Sequence, residues 1–330
     1  MKKFILKTII YILLILLLLE GIVRVFHLYT EDPPRFIDEY GVEKRVPNHD
    51  GYAVTGNRNQ NFSKFHINKA GFNSFREFTP SVNKFEMALI GDSFIEGFHQ
   101  DFSYSIGKQI ENQTDNIEVY EYGYAGYDLA NQMHLVHAYE KDFQLINKIV
   151  LYLNYENDLG RGVYEPNKGR IKMLSSTVFK IRDNIKLLAY GSKIGIVEPL
   201  KKLAQGGVAF NDTHNAYKTN ELKDKEEEQL KIDEKRIANF QNLIKLYGFN
   251  KSKTSLLLDT RKTSERFLEF CRKNNIRYID FSISFENSKK PTTLIYDHHW
   301  NSHGRALIAK ELAYYLKENK TPKPLPITSE

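Results

Sequence analysis

From Lys84 onward, short apolar runs alternate with stretches of helical period. Met87–Ile90, Ile117–Tyr122, Ile149–Leu153, Ser255–Leu258 and Ile276–Phe281 are compact apolar runs of strand length. The segments between and after them, Ser103–Glu111, Asp128–Phe143, Ser264–Asn274 and Ser302–Leu316, place apolar residues three and four apart and predict helices. Strands that alternate with helices imply a parallel sheet covered on both faces, an α/β fold built as a three-layer α/β/α sandwich. Two regions break the rhythm. Residues 29–83 are polar and rich in Pro, Gly and Asn, and predict a linker and embellishment rather than core. Residues 160–220 form an insertion with apolar helical patterns at Val178–Tyr190 and Ile194–Leu203, ended by Gly206-Gly207.

The amino terminus has a different pattern. Lys2 and Lys3 precede an apolar stretch whose densest part is Thr8–Leu19, and a helix extends from Phe4 to Phe26 if Lys7 snorkels and Glu20 pairs with Arg24. No small-x-small cleavage site follows Leu19, so residues 1–28 read as an uncleaved signal-anchor, with a cleaved signal peptide as the alternative. The lysines before the span keep its amino end cytoplasmic and put the body in the periplasm or outside the cell. The expected partner of this helix is therefore a membrane. Residues 84–317 form the main domain and 318–330 a flexible tail.

Composition adds exclusions. The net charge is +6, with 47 Lys and Arg interspersed among 41 Asp and Glu, which does not read as nucleic-acid binding. Charged stretches such as Lys223–Arg236 read as solvated helix faces. Cys271 is the only cysteine, so no intrachain disulfide forms, and its place in an apolar helical pattern makes it a small core residue.

Candidate chemistry lies at two places. Ser93 follows the strand Met87–Ile90 and Gly91-Asp92, and a serine there attacks an ester carbonyl if a base takes its proton. Asp297-His298-His299-Trp300-Asn301 offers that base beside a carboxylate. The alternative for Ser93 is a helix N-cap. The alternative for the second group is a Zn²⁺ site of Asp297, His299 and His303. The serine is not in a G-x-S-x-G elbow, since the next glycine is Gly97.

Gly91-Asp92-Ser93 resembles the first block of the SGNH, or GDSL-type, hydrolase superfamily. Asp297-x-His299-Trp300-Asn301 resembles the last block of its extracytoplasmic members. Gly123–Tyr127 is similar to the glycine block and Glu156-Asn157-Asp158-Leu159 to the asparagine block, in the expected order. The resemblance spans Phe85 to Leu316 apart from about Gly160–Asn220. It implies a flavodoxin-like sheet and a catalytic triad of Ser93, His299 and Asp297. His299 is favoured over His298 because Trp300-Asn301 follows it. The implied oxyanion donors are the backbone N–H of Ser93, the backbone N–H of Gly126 and the amide of Asn157, with Gly123 and Asn154 as alternatives. Tyr155-Glu156 departs from the usual G-x before Asn-Asp. No cofactor or metal is implied.

The resemblance and the location together imply hydrolysis of O-acetyl or similar esters on an envelope glycan. An acyltransferase using the same serine and a catalytically silent polysaccharide assembly protein are the alternatives. His99, His134 and His137 have no partner at a meaningful spacing. Trp300 reads as packing for the catalytic loop, and Tyr120, Tyr122, Tyr124 and Tyr127 as core and rim.

Overall fold

The structure, a computed structural model, describes residues 1–55, 61–195, 221–295 and 297–319. Its first element is the helix Lys2–Val25, whose side chains are almost all exposed. Two antiparallel pairs follow: β1 (Arg35–Ile37) with β2 (Glu43–Arg45), and β3 (His49–Thr55) with β4 (Asn61–Ile67).

The sheet that carries the fold has β5 (Phe85–Gly91), β6 (Ile117–Gly123), β7 (Lys148–Tyr152), β8 (Thr254–Leu258) and β9 (Tyr278–Asp280) in the order β6-β5-β7-β8-β9, with every pair parallel. Counted along the sheet's own strands the order is 2-1-3-4-5, that of the flavodoxin-like doubly wound fold. Period-2 alternation sends each strand's side chains to two separate cores. Ala88 and Ile90 pack with Tyr120, Leu151, Leu256, Phe240 and Phe267 on one face. Met87 and Leu89 pack with Val150, Leu257, Ile106 and Ile308 on the other. The helices Leu129–Ala138, Glu221–Tyr247 and Glu265–Lys273 cover the first face; Ile106–Glu111 and Ser302–Asn319 cover the second. Every side chain of β7 and β8 is buried, which is why these strands read as unbroken apolar runs.

The α/β reading therefore holds, with four differences in detail, the first being that the helix expected over Ser103–Glu111 is a 3₁₀ turn, Phe102–Tyr104, followed by the helix Ile106–Glu111 with Ser105 as its N-cap. The helix expected over Asp128–Phe143 breaks into Leu129–Ala138 and Glu140–Leu145. The joint is Tyr139, whose hydroxyl is held by Asp38 and by Lys44 of β2, so a tertiary contact overrides a continuous helical pattern. Residues 29–83 carry the four strands of the two hairpins where an irregular linker was expected. The apolar pattern Val178–Tyr190 forms two short helices, Thr177–Asn184 and Lys186–Lys193. The pattern Ile194–Leu203 past residue 195, the Gly206-Gly207 break and the tail from 320 lie outside the described residues.

Candidate active site

Ser93 is the first residue of the short helix Ser93–Glu96, at the carboxyl end of β5. The Asp92 carboxylate accepts the Phe94 N–H at 2.9 Å and caps this helix, which stops at Gly97 in the left-handed region. The helix lies so close to β6 that a Cβ on Gly123 would fall 2.0 Å from the Glu96 nitrogen. Only glycine allows that approach. Burial pushes the Asp92 carboxyl up to about 7, with the nearby Glu96 charge adding to it.

The second chain segment arrives from beyond β9. Residues 291–295 lie against residues 297–301: Leu294 N–H donates to His299 O at 2.7 Å, and Thr293 and Trp300 form an antiparallel bridge. The Asn301 amide donates to Pro291 O and Thr293 O, while its oxygen accepts from Gly304 N–H at the start of the last helix. Trp300 is buried, with ring centroids 4.7 Å from Phe94 and 4.9 Å from Tyr152. This support sets the His299 ring so that Nε2 lies 2.8 Å from Ser93 Oγ, across 206 positions of sequence. His298 has φ +61° and turns into a different cavity, lined by Phe94, Asn154 and Trp300.

Asp297 sits beside His299 with Oδ1 3.4 Å from Nδ1. The same oxygen accepts the backbone N–H of His299 at 3.0 Å, and among the described residues no well-aligned acceptor meets Nδ1. Its other oxygen, Oδ2, lies 3.3 Å from Nε2 of His99. His99 stacks on the His299 ring at 3.7 Å between centroids with an 18° tilt. Sequence reasoning missed this residue. Its partner is nearly two hundred positions away, and no local spacing marks it.

Burial lowers the His99 imidazole to about 4, helped by the neighbouring His299 and opposed by Asp297. Burial also lowers His299 below its ordinary 6.5, with Asp297 opposing. Both rings are therefore neutral at pH 7, and His299 is free to accept a proton. Side-chain nitrogens of His99 and His299 and an oxygen of Asp297 lie within 4.8 Å of one another, a grouping that invites a metal. The stacked rings argue against it, because their lone pairs lie in two nearly parallel planes and do not converge on one ion. His303, the third ligand of the Zn²⁺ alternative, instead meets Ser288 Oγ at 2.8 Å.

The loop after β6 is fixed by a buried ion pair. Glu96 Oε1 accepts from Arg45 Nε at 2.8 Å, and its Oε2 accepts from Ala125 N–H at 3.1 Å. Arg45 also donates to Asp32 Oδ1 and Pro33 O. Burial works against the Arg45 charge, but Glu96 and Asp32 outweigh it and hold the guanidinium protonated. Arg35 and Arg170 both donate to Ala125 O. Gly126 then takes φ +99°, where a side chain would be strained and its Cβ would approach Arg170 Nη1 at 2.6 Å.

Ala125, Ser93, His99 and His299 line one cavity of about 550 Å³, closed on its other side by Arg35, Arg182 and Lys193. Asn157 is exposed and lies in the turn Asn154–Asp158, outside the linings of both cavities. Asn154 lines the neighbouring cavity beside Phe94 and His298.

No family model and no curated protein matches the chain. Among solved structures, its neighbours are lipolytic proteins and esterases. A member of the lipolytic protein G-D-S-L family from Veillonella parvula is 12% identical, with 71% of this chain and 98% of that one covered at a TM-score of 0.38. A lipase/acylhydrolase from Enterococcus faecalis is 11% identical, with 73% and 100% covered at 0.39. An acetylxylan esterase from Geobacillus stearothermophilus, in a catalytic-mutant form, is 12% identical, with 74% and 97% covered at 0.33.

Proposed function

We propose that the chain is a membrane-anchored serine ester hydrolase. The observation that carries this reading is the 2.8 Å contact between Ser93 Oγ and His299 Nε2, at the strand ends of a doubly wound sheet and open to a cavity. In the first half-reaction Ser93 Oγ bonds to the carbonyl carbon as its proton moves to Nε2 of His299. The tetrahedral oxyanion collapses, the carbon–oxygen bond to the alcohol breaks, and the departing alkoxide takes the proton from Nε2. An acyl ester on Ser93 remains. Water then repeats the sequence, giving up a proton to Nε2, releasing the carboxylic acid and restoring the serine.

Asp297 stabilises the imidazolium formed in each half-reaction and orients the ring. The proposed oxyanion donors are the backbone N–H groups of Ser93 and Gly126 and the amide of Asn157. A turn of Asn157 toward the serine is required for that last role.

The substrate class, an O-acetyl or similar O-acyl ester on an envelope glycan, rests on the sequence resemblance and on the position of the cavity near the outer end of the apolar helix. That helix, Lys2–Val25, spans about 36 Å at 1.5 Å per residue, enough for about 30 Å of hydrocarbon. The hydrolase reading is tested by turnover of a chromogenic acetyl ester. Ser93→Ala and His299→Ala should each lower kcat by about 10⁴-fold or more, and the double variant should be little worse than either. Near-normal turnover by His299→Ala, with loss in His298→Ala, would reassign the base.

A further inference from the structure

The helices Thr177–Asn184 and Lys186–Lys193 carry apolar side chains that nothing among the described residues covers. Val178 is 74% exposed, Leu188 is 42% exposed, and Ile181 and Ile185 are exposed between them, at steps of three and four residues. The two helices carry Lys180, Arg182, Lys186 and Lys193 against one acid, Asp183. An apolar side with a cationic polar side marks a helix that lies in a membrane interface.

A second observation fixes where these helices stand. Glu20, near the outer end of the apolar helix, accepts the backbone N–H groups of Lys186 at 3.0 Å and Leu187 at 2.6 Å. Its partner Arg24 donates to Asn184 O at 2.8 Å. The joint between the two short helices is therefore bonded to the last turns of the span, at the depth where the span leaves the hydrocarbon. The apolar side chains of that helix are exposed as well.

We propose that Thr177–Asn184 and Lys186–Lys193 lie along the outer bilayer surface. Their apolar side chains sit among the upper acyl carbons and Lys180 reaches anionic headgroups, while Arg182 and Lys193 face the cavity and Lys186 covers the Tyr29 ring. This rests on the anchored-hydrolase reading and deepens it. Arg182, Asp183, Ala189, Ser192 and Lys193 of the same two helices form one wall of the cavity that holds Ser93 and His299. The cavity therefore opens at headgroup depth, and the ester it receives is carried by an amphiphile held in the same leaflet.

The test uses the full chain in vesicles of phosphatidylcholine and phosphatidylglycerol. In a Cys271→Ala background, single cysteines at Leu188, Leu14 and Val82 carry an environment-sensitive fluorophore. Val82 is the control, exposed at the amino edge of the sheet, opposite the strand ends that carry Ser93. The proposal expects the Leu188 probe to be quenched by doxyl lipid labelled near the headgroup, the Leu14 probe by doxyl deep in the chains, and the Val82 probe by neither. A water-like Leu188 probe alongside a quenched Leu14 probe overturns the proposal and leaves the anchor standing. An unquenched Leu14 probe overturns both. A Leu188 probe shielded in detergent and in vesicles alike, without doxyl quenching, assigns the face to a protein partner and also overturns the proposal.

Turnover gives the second arm. Leu188→Asp should lower the ratio of vesicle-held to water-soluble acetyl-ester turnover by about tenfold, the factor equivalent to ~1.4 kcal/mol and within the range for one buried leucine. An unchanged ratio overturns the claim for a membrane-held substrate. Loss of all turnover in Ser93→Ala tests the hydrolase reading separately.

Discussion

Arg45→Ala should be among the most damaging single changes in this chain, although Arg45 does not touch the serine. The Arg45 and Glu96 side chains are 1% and 2% exposed and meet at 2.8 Å. Truncating the arginine leaves a buried carboxylate without its cation, an effect of about 3–5 kcal/mol. For a domain of this size that corresponds to a fall in melting temperature of roughly 6–20 °C. The same carboxylate holds Ala125 N–H, so the loop bearing Gly126 should loosen and kcat should fall more than KM rises.

The double variant Arg45→Met with Glu96→Leu separates the two effects. Removing both charges should recover most of the lost stability, less about 1 kcal/mol for the unpartnered Ala125 N–H. Activity should not recover, because the loop has still lost its anchor. Thermal melts of the full chain in detergent and acetyl-ester kinetics give the two readouts. An Arg45→Ala protein that melts within about 2 °C of wild type, or a double variant that regains full kcat, would refute the reasoning.

Three further outcomes follow from the site. His99→Ala removes the ring that desolvates His299, so the His299 pKa should rise toward 6.5 and the acid limb of kcat/KM should move to higher pH; an unmoved limb would show that the stacking does not tune the base. Asn157→Ala should lower kcat by about 10²–10³-fold with little change in melting temperature, and full activity there with loss in Asn154→Ala would move the donor to Asn154. Asp92, held near 7, keeps in the folded state a proton that the unfolded chain has lost above about 4, so wild-type stability should fall as pH rises from 4 through 7. The size is on the order of 4 kcal/mol, about three units at 1.36 each. Asp92→Asn, which can still cap Phe94, should flatten that dependence in denaturant titrations across the range, and an unchanged slope would assign it to other groups.

The centre of the sheet was legible because β5, β7 and β8 are buried on both faces, which writes apolar runs such as Met87–Ile90 and Leu256–Leu258, while β6 and β9 mix polar residues into theirs. The hairpins of residues 35–67 were not. Strand β2 buries Glu43, Lys44 and Arg45 together; Lys44 meets Asp38 in the same hairpin, but Tyr139, Glu96 and the Asn167 N–H that complete the set come from far along the chain. Polar composition and burial point in opposite directions there, so no periodicity survives. The chemistry shows the same division. Ser93 and His299 were readable from short local patterns. His99 and the Arg45–Glu96 pair exist as site components only through tertiary contacts, and an isolated histidine beside Gln100-Asp101 carries no local mark of that. The break at Tyr139 belongs with them, since the pattern through Phe143 is helical and the contact with Asp38 comes from another part of the chain.

The most direct test of a serine hydrolase is covalent capture of its nucleophile. The folded full chain, treated with a fluorophosphonate and digested, should show by mass spectrometry one phosphonylated residue, Ser93. Labelling should be lost in Ser93→Ala and slowed by orders of magnitude in His299→Ala, since in the proposed mechanism the imidazole 2.8 Å away activates the hydroxyl. A folded protein that takes no label, or takes it at another serine while Ser93 stays free, would contradict the account.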